Sequence, residues 1–192
     1  MGKVISDITI SLDGFSAGPD VSEPNPMGIG GERLHEWIFG RTDVNAKEVE
    51  AMHQRQGAVV LGKRTFDIGE KHWGGNTPFG TPSFVLTHEK RDVKVSPKGQ
   101  PFTFINDGPE SAIAAAKKVA GEKDVLIMGG AETMRQFIKA GLIDEMRIRV
   151  VSVLLGRGTR LFDEIGEKQI ELIRTDLVGG NDVAHFTFRF KK

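Results

Sequence analysis

The sequence predicts an α/β fold, a mostly parallel sheet with helices on both faces and an antiparallel edge built from its C-terminal strands. Two observations carry this. Strand-like and helix-like segments alternate up to about residue 140, as they do when crossover helices join parallel strands. Beyond that point only strand-like segments remain, and the last two flank Gly179-Gly180-Asn181, a hairpin signal.

The elements follow in order. Val4 to Leu12 alternates polar and apolar residues as a strand does, and DGFSAGPD after it is turn chemistry. Residues 21–31, VSEPNPMGIGG, read as a long irregular loop, the kind that often carries function. ERLHEWIFG predicts a short helix with Leu34, Trp37 and Ile38 on one face. Asn45 to Gln56 predicts a longer one, with Val49 and Met52 inward and Gly57 as its stop. AVVLG is a buried strand, and Thr65 to Lys71 a short helix.

Residues 82–88 and 101–107 give two more strands. Asp107 is placed to cap the next helix, Pro109 suits its first turn and Gly121 ends it. DVLIMGG (124–130) is a strand that runs into glycines, followed by a helix from Glu132 to Ala140 with Gly141 as stop. EMRIRVVSVLLG is a long strand, and in the final strand Ala184, Phe186, Phe188 and Phe190 share a face, with His185 on the opposite, partly exposed one. No linker or repeat interrupts this order, so residues 1–192 are expected to form one domain.

Composition narrows the function classes. The chain has 192 residues, 39% hydrophobic and 27% charged, with 26 basic residues against 26 acidic. No global basic field exists, which argues against nucleic acid as a partner. The absence of cysteine excludes disulfides, thiolate chemistry and the cysteine ligands of a zinc nucleobase deaminase. His53, His72, His88 and His185 show no metal-like spacing, so no metal is expected. The N-terminus reads as a strand and not a signal peptide, and no apolar run approaches a membrane span. The expected location is the cytoplasm.

Three predicted strand ends carry unusual residues. Gly62-Lys63-Arg64-Thr65 combines a glycine, helix-opening amides and two cations, a set suited to phosphate but equally open to reading as a solvated basic turn. Met128-Gly129-Gly130-Ala131-Glu132-Thr133 places paired glycines before a helix N-terminus, though without the GxGxxG spacing. Leu86-Thr87-His88-Glu89-Lys90-Arg91 is either a clasp for a 2′-phosphate or a charged surface loop. On one parallel sheet all three ends face the same edge, where α/β proteins bind ligands.

These segments also resemble a known family. VLGKRTFDIG is similar to the strand, turn and helix with which dihydrofolate reductases grip cofactor phosphates, and VLIMGGAETMRQFI to their second glycine segment. ITISLDGFSAG resembles their first strand and active-site loop. SLDG and DEMRIRVVSVLLGRGTRLF resemble more closely still the reductase domain of bifunctional riboflavin-biosynthesis proteins and its stand-alone relatives. The resemblance runs from about Lys3 to Phe190. It implies a dihydrofolate reductase-like three-layer sandwich that uses NADPH to reduce a C=O or C=N of a small pteridine- or pyrimidine-like substrate.

By position, the resemblance puts Thr9 and Ser16 beside the nicotinamide and its ribose. Gly62, Lys63, Arg64 and Thr65 would take phosphates, Leu86, Thr87 and His88 the adenine side, and Gly129, Gly130, Ala131, Glu132 and Thr133 the pyrophosphate. Asp13 and Glu36 are the candidate proton-delivering carboxylates, with Glu32 and Asp43 also in the region. Phe15, Trp37, Gly158 and Arg160 are the candidate substrate residues, with Gly156 beside them; Trp37 either stacks on a flat ring or packs in the core. Arg33, Arg41, Arg157 and Arg160 are the cations available for a substrate phosphate. Relatives of this type pair through their C-terminal strands, so a homodimer is expected. The alternative reading is an NADP-binding module without reductase activity.

Overall fold

The computed structural model describes residues 2–39 and 43–191. Its elements run β1 (Val4–Ser11), β2 (Phe15–Ala17), α1 (Glu36–Phe39), α2 (Asp43–Arg55), β3 (Gln56–Gly62), α3 (Lys63–His72), β4 (Ser83–Leu86), β5 (Lys94–Val95), β6 (Pro101–Ile105), α4 (Pro109–Ala120), β7 (Asp124–Gly129), α5 (Ala131–Lys139), β8 (Glu145–Val151), β9 (Thr159–Arg160), β10 (Leu172–Gly179) and β11 (Val183–Phe190).

The main sheet has the order β10-β11-β8-β1-β7-β3-β4-β6-β5. Strands β8, β1, β7, β3, β4 and β6 pair in parallel, while β11 and β10 add the predicted antiparallel edge. Alternation along the strands sorts the core into two layers. Val4, Ile10, Ala58, Val60, Val125 and Ile127 meet α4 and α5 on one face. Val59, Leu61, Val85, Phe102 and Leu126 meet Phe66 of α3 on the other, and Leu34 and Trp37 cover Val151 and Val183 further along that face.

Several expectations change in detail. Helix α3 begins at Lys63, so both cations and Thr65 belong to its first turn. Asp107 does not cap α4: the N-cap is Gly108, at φ 108°, a backbone that favours glycine. Strand β8 stops at Val151, and the chain returns as the short β9, which pairs with β2 in a separate two-stranded flap. His185 is buried, because α1 and α2 cover the face that the hairpin pattern left open.

Candidate functional site

The parallel register brings the three predicted ends together. Strand β7 lies between β1 and β3, and β4 lies beside β3, so Ser11, Gly129, Gly62 and Leu86 finish neighbouring strands at one edge. Leu61 pairs with Gly129, and Gly62 with Leu86.

Two glycine turns interlock at this edge. A Cβ on Gly62 would lie 2.2 Å from Thr133 Oγ1, so only a bare backbone allows α5 this close to the start of α3. In the other direction, Gly130 N–H donates to Thr65 Oγ1 at 2.8 Å. Gly62 and Gly130 are the N-caps of α3 and α5, and neither helix receives a side-chain cap. Their first-turn amides therefore face the edge without a side-chain acceptor, at the positive ends of two helix dipoles. The first turn of α3 carries no acidic residue, and that of α5 carries Glu132. Gly129 has φ 111°, and the Gly129–Gly130 peptide is cis.

The cations at this edge divide. Arg64 Nη2 donates to the Val21 carbonyl at 3.0 Å, tying α3 to the long loop, and Lys71 pairs with Glu23 of that loop at 2.7 Å. Lys63 pairs with Asp67 at 2.6 Å. Thr87 is buried; its N–H donates to Ile105 O and its hydroxyl accepts from Glu89 N–H, while His88 is exposed beyond it.

A second cluster forms above the end of β1. Phe15 pairs with Arg160 across β2 and β9, the Arg160 guanidinium lies 4.5 Å from the Phe15 ring centre, and Ser16 Oγ donates to Thr159 O. A Cβ on Gly158 would lie 2.1 Å from Ala17 O, so the flap closes tightly. The flap brings Phe15, Ser16, Gly158 and Arg160 together. Phe15 is itself buried, so its ring serves as a base for Arg160.

The two candidate acids sit in different settings. The Asp13 carboxylate accepts from Ser11 Oγ, Leu155 N–H and Gly156 N–H, and these bonds hold its pKa down to about 2. Glu36 is largely exposed and pairs with Arg33 at 2.9 Å. Trp37 is only 3% exposed and its Nε1–H donates to Thr9 Oγ1 at 3.2 Å, so of the two readings offered by the sequence it is the packed one that the structure has. Arg41 and the side chain of Asp43 lie outside the described residues.

Beneath Trp37 lies a polar cluster that sequence reasoning missed. Arg149 is 2% exposed and binds both oxygens of Asp7, at 3.1 and 2.8 Å, and Glu48 at 2.6 Å. His185 Nδ1 lies 2.8 Å from Arg149 Nη1, and His185 Nε2 lies 3.0 Å from Asn45 Oδ1. Burial and the neighbouring guanidinium lower the His185 pKa. The detectable signal was Arg147 and Arg149 at alternate positions of an internal strand, opposite Asp7. His35, also largely buried, has its Nδ1 without a hydrogen-bond partner among the described residues, and burial lowers its pKa as well.

Known proteins resemble this chain in sequence or in fold. YwjB of Bacillus subtilis (strain 168), an uncharacterized protein, is 28% identical over 96% of this chain and 97% of its own. A Shewanella sp. PV-4 protein provisionally named for riboflavin biosynthesis superposes with a TM-score of 0.72 at 24% identity, over 99% of both chains. A dihydrofolate reductase from Enterococcus faecalis, complexed with NADP(H), superposes with a TM-score of 0.63 at 16% identity, over 100% of this chain and 98% of its own. The fold is thus dihydrofolate reductase-like. With residues 2–183 matching the RibD C-terminal domain, nearly the whole length that carries both glycine turns and the flap, the chain belongs to that family.

Proposed function

We propose that this chain is an NADPH-dependent reductase of a small pteridine- or pyrimidine-like substrate, acting on a C=O or C=N group. The observation that carries the reading is the interlocked pair of glycine turns, with two helix N-termini that no side chain caps at one parallel sheet edge. Membership of the RibD C-terminal domain family supports a reductase of the riboflavin-pathway type.

The residues present fit the phosphates of a dinucleotide. Thr65 accepts from Gly130, which leaves its own O–H to donate, and the amides from Gly129 to Thr133 suit a pyrophosphate. Lys63 supplies charge at the α3 side, while Leu86, Thr87 and His88 border the adenosine end. Thr9 and Ser16 border the nicotinamide end; Thr9 is held there by Trp37. The cofactor, when bound, supplies the hydride. The chain orients the two reactants and excludes water, with Arg160 and Gly158 on the substrate side. Asp13, ionised at neutral pH, anchors Leu155 and Gly156 beneath the flap and delivers no proton.

We further propose a homodimer. Among the described residues strand β10 has no neighbour on its outer side, and it exposes Leu172, Ile173 and Leu177.

A second reading, an NADP-binding module without turnover, is favoured by the state of the two candidate acids, one fully ionised and one solvated. The test is to mix the protein with NADPH and a panel of pterin and aminopyrimidine acceptors, following cofactor absorbance. Consumption with any acceptor supports the reductase. Binding without consumption by any member of the panel supports the module.

A further inference from the structure

Two cations beside the proposed adenosine end, Lys63 and Arg91, already have anionic partners. Lys63 Nζ lies 2.6 Å from Asp67 Oδ2 and 3.9 Å from Glu89 Oε1. Arg91 Nε lies 3.1 Å from Glu89 Oε2, and its Nη1 3.9 Å from Asp67 Oδ1. The four side chains close a ring of alternating charge whose sum is zero. Lys63 and Asp67 are one turn apart on α3, whereas Glu89 and Arg91 come from the segment after β4. The ring therefore bridges the two strand ends at which a ribose 2′-phosphate would arrive. Arg91 is steadied by the Phe104 ring, 5.5 Å from its guanidinium carbon, and the Glu89 amide is fixed by Thr87. Arg64 takes no part, since its guanidinium is turned to Val21.

The two carboxylates are not equivalent. Asp67 makes a short bond to Lys63 within one helix. Glu89 spans the two cations, is the most exposed member at 55% and holds Lys63 only at 3.9 Å. Exposed pairs of this kind contribute little and exchange readily. A phosphate carries more charge than a carboxylate and takes an Arg fork equally well.

Resting on the dinucleotide reading above, we infer that Glu89 sets how strongly the site selects a 2′-phosphate. Its carboxylate stands in for the phosphate between Lys63 and Arg91, and a 2′-phosphorylated cofactor must displace it. An unphosphorylated ribose leaves the ring intact. Discrimination between NADPH and NADH is thereby reduced, and the preference is held in one residue.

The test is calorimetric titration of the wild-type protein and Glu89→Gln with NADPH, NADH, 2′,5′-ADP and 5′-ADP. Removing one repelling charge is expected to tighten NADPH and 2′,5′-ADP about fivefold and to leave NADH and 5′-ADP within about twofold. Lys63→Met should weaken the two 2′-phosphorylated ligands more than NADH and 5′-ADP. Equal changes for phosphorylated and unphosphorylated ligands, or none in Glu89→Gln, would overturn the role of Glu89 while leaving the dinucleotide site standing. If wild-type protein binds none of the four, the dinucleotide reading falls and takes this inference with it.

Discussion

The Thr65 hydroxyl accepts a hydrogen bond from the Gly130 backbone N–H at 2.8 Å, so the first turn of α3 holds the entrance to α5. Gly62 returns the arrangement by leaving room for Thr133. Each helix thus positions the N-terminus of the other, and both N-termini open at the same sheet edge. Thr65→Val keeps the shape and removes both the acceptor and the free O–H. Because Gly130 is exposed and water can replace the lost acceptor, the stability loss should stay near 1 kcal/mol. NADPH affinity should fall about tenfold through loss of a charge-assisted donor. Paired denaturation and binding titrations check both numbers.

Asp13 gives a prediction of the opposite kind. Its carboxylate is a fixed anion, so Asp13→Asn should leave the shape of the pH–rate profile unchanged while raising KM through a looser 155–156 segment. Loss of a titrating limb from the profile would restore Asp13 as the acid. The sign for stability follows from the lowered pKa. The contribution of Asp13 is complete above its ordinary value of 3.8 and is lost as pH falls toward 2.

The buried cluster under Trp37 sets a second pH dependence. His185 faces Arg149, Glu48, Asp7, Asp182, Asn45 and the Trp37 ring, and its folded pKa lies below 6.5. The unfolded chain then binds the proton more readily than the folded one, so stability is complete above pH 6.5 and declines as pH falls through the lower folded value. His185→Gln should flatten that decline in melts taken across the acid range. Arg149→Met leaves Asp7 and Glu48 without their cation, and should cost about 3–5 kcal/mol.

The β10 edge makes the proposed homodimer testable. Leu177→Arg places a charge among the exposed apolar side chains of β10 and should shift the species seen by light scattering from dimer to monomer. A monomeric wild-type protein would remove the dimer from the account.

Much of the fold was readable because local pattern and packing agree. The stretches before Gly62 and Gly129 are apolar runs ending in glycine, and parallel pairing places such ends together. The two turns were legible as glycine-bearing strand ends at one edge, but their interlock was not, since Thr65 and Gly130 are 65 residues apart. Trp37 and Glu36 were harder for the same reason. Whether Trp37 is core or site depends on Thr9, Arg149 and His185, contributed by three different strands. Of the partners of Lys63, Asp67 lies four residues on and was within reach of the sequence, whereas Glu89 was hidden, 26 residues away beyond another strand end.

The central claim is that the two glycine turns form a dinucleotide site. The direct measurement is titration with NADPH of wild-type protein and Gly62→Ala, following fluorescence of Trp37 and Trp73, with melting curves to show that both are folded. The added methyl would meet Thr133 Oγ1 at 2.2 Å and part the turns. The account predicts saturable NADPH binding by the wild type and a loss of at least about tenfold in a folded Gly62→Ala. Equal affinity in the two folded proteins, or no binding by the wild type, would contradict it.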